Sequence, residues 1–122
     1  MDREGYLDYV DRVLGALDHT RLQYEYYRKA KQKRGLATLY RESDGSYIVS
    51  YSLCSRVDKF DRNIGLFKAL TREDYIRIIP KNDGVVIDML KNAVPPHSLK
   101  PLVLKMVGKA AYYAASNNNN CT

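Results

Sequence analysis

The chain has 122 residues, of which 45% are hydrophobic and 28% are charged, as is typical of one globular domain with a single core. An excess of Lys and Arg gives a formal charge of +6, which favours negatively charged partners. Its only cysteines, Cys54 and Cys121, exclude a disulfide framework, and no apolar run reaches the roughly 20 residues that a membrane-spanning helix needs. We therefore expect a cytoplasmic protein with no membrane partner.

The first segment of the chain has the spacing of an amphipathic helix. Residues suited to a buried face recur every three or four positions, at Tyr6, Val10, Val13, Leu17, Thr20, Tyr24 and Tyr27. Acidic residues concentrate at the start of the segment and basic residues at its end, which matches the direction of the helix dipole. Gly35 has the position of a helix stop. We predict one long helix that ends near Gly35.

A β-hairpin is predicted next. Residues 36–42 and 47–54 are two extended runs, joined by the turn sequence Ser43-Asp44-Gly45-Ser46. In the second run the large apolar residues alternate with small or polar ones, as expected of a strand with one buried face.

The rest of the chain supplies further short elements. A helix is predicted over 61–70, with Asp58 or Asp61 as its cap, and a strand over 75–79 that ends at Pro80. Residues 85–94 fit either a strand or a short helix, and residues 99–115 a closing helix. The predicted fold class is α+β, with a long N-terminal helix, a small antiparallel sheet built on the hairpin and a C-terminal helix. Residues 1–116 would form one domain, followed by a disordered Asn-rich tail at 117–122.

Motifs of the common enzyme classes are missing. The sequence has no Gly-x-x-x-x-Gly-Lys loop, no Gly-x-Gly-x-x-Gly turn and no His-Glu-x-x-His helix. We therefore expect a protein that is not an enzyme and holds no cofactor and no metal. Asp58 and Asp61, with Lys59 beside them, could hold Mg²⁺ in a metal-dependent nuclease. Helix capping is the commoner role of such carboxylates and is the interpretation we prefer.

Positive charge and aromatic rings concentrate in residues 21–34. On a helix, cations and tyrosines of this block would share one face, and the candidate ligand-binding residues are Arg21, Tyr24, Tyr27, Arg28 and Lys31. Arg and Lys neutralise phosphates, and a Tyr ring offers a surface on which a base stacks. The alternative interpretation is a solvated charged face that only complements the helix dipole.

A second basic patch lies where the hairpin leads into the next helix. Its candidate residues are Arg56, Lys59, Phe60 and Arg62. Free backbone N–H groups at the start of a helix near Asp61 would help these side chains to bind an anion. Asp58 and Asp61 partly cancel that field, and Gly65 early in the helix implies a close neighbour.

This junction resembles a strand-turn-helix motif of small phage-encoded proteins. The motif follows the strand at 49–53 and is carried by Cys54, Ser55, Asp58, Phe60, Arg62, Gly65 and Ala69. It is similar to counter-defence proteins such as the Thoeris anti-defence sponges, which sequester nucleotide signals. Leu66 stands where a basic residue is expected after the glycine. The resemblance implies a phage accessory protein that acts in the cytoplasm of its host.

These observations predict a non-enzymatic protein that binds phosphate-bearing ligands, either a signalling nucleotide or nucleic acid, and the resemblance implies a role in counter-defence. The alternative is an inhibitor or adaptor that binds a host protein through the Tyr-rich N-terminal helix, since Tyr and Arg dominate binding hot spots. The apolar stripe of that helix could also pair two copies, so we expect a homo-oligomer.

Overall fold

The computed structural model describes residues 2–55, 57–89 and 94–119 and has an α+β fold. Its elements follow the chain in the order α1 (Arg3–Gly15), β1 (Leu22–Lys29), β2 (Gln32–Arg41), β3 (Tyr47–Leu53), α2 (Arg62–Leu70), β4 (Ile76–Lys81), β5 (Gly84–Met89) and α3 (Lys100–Asn119). A short 3₁₀ turn at His19–Arg21 precedes β1. The predicted fold class is confirmed.

The five strands form one antiparallel sheet in the order β1-β2-β3-β4-β5, so each strand pairs with its neighbour in sequence. Pairing between β3 and β4 is short and covers only Tyr47–Val49 against Ile76–Ile78. Strands β1 and β5 are the two edges of the sheet.

Helices cover both faces of the sheet. On one face α3 buries Val103 and Met106, together with Leu99 just before the helix, against residues of β2, β3 and β4, among them Leu39 and Ile78. On the other face α1 and α2 form a second core, whose buried members are Val10, Leu14, Leu36, Leu66 and Ala69. Strand β2 contributes to both cores, with Ala37 and Leu39 in the first and Leu36 in the second.

The prediction of one long N-terminal helix is wrong. Helix α1 ends at Gly15, and the chain turns at Asp18, whose carboxylate accepts a hydrogen bond from the N–H of Thr20. Residues 22–29 then form strand β1. The apolar positions from Tyr6 to Val13 lie in the helix, whereas Leu17, Tyr24 and Tyr27 continue the spacing by coincidence. Tyrosine favours a half-buried strand. Gly35 is not a helix stop but lies within β2.

The hairpin of β2 and β3 and the helix α2 are confirmed, although β2 begins earlier than predicted, at Gln32. Asp61 is the cap of α2, and its carboxylate accepts a hydrogen bond from the N–H of Ile64 at 3.0 Å. Gly65 has the close neighbour that the sequence implied, since a Cβ there would lie 3.2 Å from Leu36 Cδ2.

Strand β4 does not end at Pro80, because Pro80 pairs with Val85 and the strand runs to Lys81. Pairing with β3 has stopped at Ile78, so no ladder bond towards β3 is lost at the proline. Of the ambiguous segment 85–94, residues as far as Met89 belong to strand β5. Residues 90–93 lie outside the described part of the chain.

Helix α3 runs to Asn119, beyond the predicted end at 115 and into the segment predicted as a tail. Residues 120–122 of that predicted tail lie outside the described ranges. Within those ranges, no helix combines the length and apolar character that a bilayer crossing requires.

Candidate functional site

The hairpin of β1 and β2 projects beyond the rest of the sheet. Pairing between β2 and β3 ends at Gly35 and Leu53, whereas β1 and β2 stay paired as far as Lys29 and Gln32. The loop between these two residues consists of Ala30 and Lys31 alone, and both have positive φ, of 51° and 67°. This is the backbone of a two-residue hairpin turn, which is normally formed by Asn or Gly.

This projection, which we call the β1–β2 tip (residues 28–34), concentrates positive charge. It contains five cations and no carboxylate: Arg28, Lys29, Lys31, Lys33 and Arg34. All but Arg34 are exposed. The ion pairs found among the described residues use other cations, namely Arg21, Arg72, Arg77, Lys105 and Lys109. The charge of the tip is therefore not neutralised by the described part of the chain.

Two of these cations share one aromatic ring. Arg28 and Lys33 are directly opposite each other on β1 and β2, an arrangement in which like charges repel. The Tyr26 ring lies beneath both: Lys33 Nζ is 4.2 Å from the ring centroid and Arg28 Cζ is 5.7 Å from it. The attraction of each cation to the ring face offsets part of the repulsion and holds both charges on one side of the tip.

Tyr26 is itself supported by an aromatic cluster. Its ring makes edge contacts with Tyr24, at 5.7 Å between centroids, and with Phe60, at 5.8 Å. All three side chains are half-buried against the core under α1 and α2. The cations Arg28 and Lys33 therefore lie over an aromatic cluster that consists of Tyr24, Tyr26 and Phe60.

Arg34 connects the tip to the junction between β3 and α2. The register of β1 and β2 shifts between Tyr27 and Arg28, which leaves Arg34 as the extra residue of a β-bulge. Its guanidinium donates hydrogen bonds to the backbone carbonyls of Ser55 and Asp58, the latter at 3.2 Å. Because carbonyl groups carry no net charge, these hydrogen bonds fix the position of the loop without neutralising the guanidinium of Arg34.

The junction itself borders a cleft of about 280 Å³. Its cationic lining residues are Arg3, Lys59 and Lys68, all exposed, and its carboxylates are those of Asp58 and Asp61. Both carboxylates have structural partners, because Asp58 accepts from Ser55 Oγ at 2.7 Å and Asp61 caps α2. The cleft therefore combines both signs of charge, in contrast to the β1–β2 tip.

The predicted binding residues do not form one helical face. Tyr24 and Tyr27 point to opposite faces of the sheet, because side chains alternate along a strand. Arg21 lies before β1 and pairs with Asp18 at 3.4 Å, away from the tip. Arg62 lies at the start of α2 with its Nε 3.4 Å from Asn63 Oδ1. Arg56 lies outside the described residues.

The structure does bring together Arg28 and Lys31 of the predicted set, and it adds Tyr26, Lys29, Lys33 and Arg34. If residues 21–34 formed a helix, these side chains would be spread around its axis, and the helix prediction therefore did not group them. The signal for a strand was the density of tyrosine between residues 24 and 27, and the absence of Gly or Asn from the loop concealed the turn.

Among residues 2–55, 57–89 and 94–119, no three His, Cys, Asp or Glu side chains gather closely enough to hold a metal ion. Comparisons of the chain with protein-family models, with curated proteins and with solved structures find no match.

Proposed function

We propose that this protein binds nucleic acid without catalysing a reaction, and that the β1–β2 tip contacts the phosphate backbone. The observation that carries the proposal is the group of five cations at 28–34, which no carboxylate of the described residues neutralises. The resemblance of the junction to phage counter-defence proteins supplies the setting, the cytoplasm of an infected host.

The arrangement of the cations favours a polymer over a single nucleotide. Four of them lie on the two strands of a projecting hairpin and Lys31 lies in its loop, so they do not converge on a pocket. A duplex presents a negative charge about every 1.7 Å of its axis, so several tip cations can contact phosphates at the same time. Such contacts give affinity without reading base sequence.

The Tyr26 ring has a supporting role in this proposal. Lys33 and Arg28 lie over it, and Tyr24 and Phe60 meet it edge to face, so little of the ring remains for a base to stack on. The ring therefore orders the two cations before the ligand arrives, which lowers the entropy cost of binding.

A nucleotide site in the junction cleft is the weaker candidate. Lys59 and Lys68 border the cleft, but Asp58 and Asp61 lie beside them and reduce the attraction for phosphate. Asp61 also occupies an N–H group at the start of α2 that an anion would otherwise use.

The test is fluorescence anisotropy with duplex DNA, single-stranded DNA and RNA of equal length, over a series of salt concentrations. Replacement of two tip lysines, Lys29→Gln with Lys31→Gln, should weaken duplex binding on the order of 50-fold near 0.1 M salt, and should reduce the slope of log Kd against log salt by about two. The matched control, Arg12→Gln with Arg41→Gln, removes the same charge from exposed sites remote from the tip and should have little effect.

Equal losses in the two double variants would contradict the proposal, because net charge alone would then explain binding. Tight binding of a free nucleotide that is insensitive to salt, and is lost in Lys59→Gln with Lys68→Gln, would move the site to the junction cleft. Mg²⁺-dependent cleavage that disappears in Asp61→Ala would instead identify a nuclease.

A further inference from the structure

Large apolar side chains are exposed on β5, the edge of the sheet opposite to β1. Val86, Ile87 and Met89 retain 42%, 50% and 52% of their accessible surface. As the last strand of the sheet, β5 has no strand paired to its outer side among the described residues, so that side presents a row of backbone hydrogen-bonding groups. The edge therefore suits another strand.

Helix α3 extends this apolar surface. Its residues Lys105 and Lys109 reach Glu25 on β1, so that flank of the helix faces the β1 edge. By helical spacing, Leu104, Val107 and Ala111 lie on the opposite flank, towards β5. Val107 and Ala111 are partly buried, and Leu104 is 56% exposed. Together with the side chains of β5 on the same face, they form what we call the β5–α3 surface (Ile87, Met89, Leu104, Val107 and Ala111).

The two edges of the sheet differ in how strongly they discourage pairing with a further strand. Strand β1 ends in Arg28 and Lys29 and has a register shift beside them, and both charged residues and bulges discourage a further strand. Strand β5 has no register shift, and Asp88 is its only charged residue. A largely apolar edge of this kind is a template for pairing with another strand.

We propose that β5 pairs antiparallel with β5 of a second copy of this chain, across a two-fold axis. The charge distribution favours a copy as the partner. Each chain carries +6, yet the β4–β5 hairpin is neutral, with Arg77 and Lys81 balanced by Asp83 and Asp88. Two chains therefore meet with the least repulsion at this edge, whereas an acidic partner would be drawn to the β1–β2 tip.

The paired edges also match in detail. With Ile87 on the two-fold axis, Val86 lies opposite the partner's Asp88, so the two carboxylates do not face each other. The α3 helices then run antiparallel, each with its apolar flank on the side of the two-fold axis.

The test is the molar mass of the full chain, measured by analytical ultracentrifugation over a range of concentrations. The wild type should have twice the 14.0 kDa mass of the chain. Ile87→Lys places two cations at the two-fold axis and should raise the dimer Kd on the order of 100-fold. The matched control, Val57→Lys, adds the same charge at a loop residue that is 93% exposed and should remain dimeric.

Val86→Asp, on the other face of β5, places a carboxylate opposite the partner's Asp88 and provides a second disruption in case Ile87→Lys does not fold, as judged by circular dichroism. In a background of Cys54→Ser and Cys121→Ser, Ile87→Cys should form a cross-linked dimer on mild oxidation, whereas Val57→Cys should not. A wild type that is monomeric at every concentration overturns the proposal. So does a dimer that persists in both Ile87→Lys and Val86→Asp when these variants fold.

Discussion

Gly35 lies so close to Ser52 that a Cβ on the glycine would be 2.6 Å from the backbone carbonyl oxygen of Ser52. The close approach occurs where β2 leaves the pairing with β3 and enters the bulge that re-aims Arg34. Because the obstructing atom belongs to the backbone, it cannot move aside as the end of a flexible side chain could. The connection between the sheet and the β1–β2 tip therefore depends on this glycine.

We predict that Gly35→Ala lowers the free energy of unfolding by roughly 2 kcal/mol, measured by urea denaturation. The control is Gly15→Ala at the end of α1, where a Cβ would meet no atom within 4 Å. That variant should be neutral or slightly stabilising, since alanine favours a helix more than glycine does. Equal stability of the two variants would show that the strands separate at Gly35 at little cost.

The two-residue loop at the tip stores backbone strain. Ala30 has a φ of 51°, a conformation that costs a residue with a Cβ about 1 kcal/mol or more. We predict that Ala30→Gly raises the free energy of unfolding by about 0.5 kcal/mol, because glycine removes the strain but adds entropy to the unfolded chain. Gly45, with a φ of 90°, is the converse case, and Gly45→Ala should destabilise by about 1 kcal/mol. Thermal unfolding of both variants, compared with the wild type, measures the two changes in stability.

A buried hydroxyl group weakens the core beneath α2. Thr38 is fully buried, and its Oγ1 has no hydrogen-bond partner among the described residues. Thr38→Val keeps the shape and removes the unpaired polar atom, so we expect a gain of about 1 kcal/mol in unfolding free energy. Ser46 is the contrasting buried hydroxyl, because its Oγ donates to Asp44 Oδ1 at 2.6 Å. Ser46→Ala should therefore lower stability, and denaturant titrations that rank the two variants the other way would contradict the argument.

Stability should fall in acid partly through Asp44. Hydrogen bonds from the side chain and then from the backbone N–H of Ser46 hold the pKa of Asp44 below its ordinary value of 3.8. The unfolded chain therefore binds the proton more readily, so the stabilisation is complete above pH 3.8 and is lost as the pH falls through the lowered pKa. We predict that Asp44→Asn is less stable at neutral pH and loses less stability on acidification. Urea midpoints at a series of pH values measure this, and an unchanged acid dependence would rule it out.

The sequence predicted the elements whose signals are local. Asp61 before the apolar residues of α2 marked the start of that helix, and the turn around Gly45 marked the hairpin of β2 and β3. Both depend on residues within a few positions of each other, so no knowledge of distant contacts was needed.

The tip could not be predicted in the same way, because its structure depends on partners far along the chain. Tyr26 becomes a strand residue through pairing with β2 and packing on Phe60, which is more than 30 positions away. The helical spacing from Tyr6 to Leu17 extends to Tyr24 and Tyr27 with the same period, so periodicity alone could not show where the helix ends. The loop residues Ala30 and Lys31 carry no turn signature either.

The order of the elements has a consequence for synthesis on the ribosome. Every strand pairs with its neighbour in the chain, so the sheet can assemble stepwise as residues emerge, and such local pairing favours rapid folding. The face that α3 covers is different, since Leu39, Val49 and Ile78 stay open to water until residues 99–114 have followed. A nascent chain halted after β5 would present this bare apolar face, which makes it a natural substrate for chaperones.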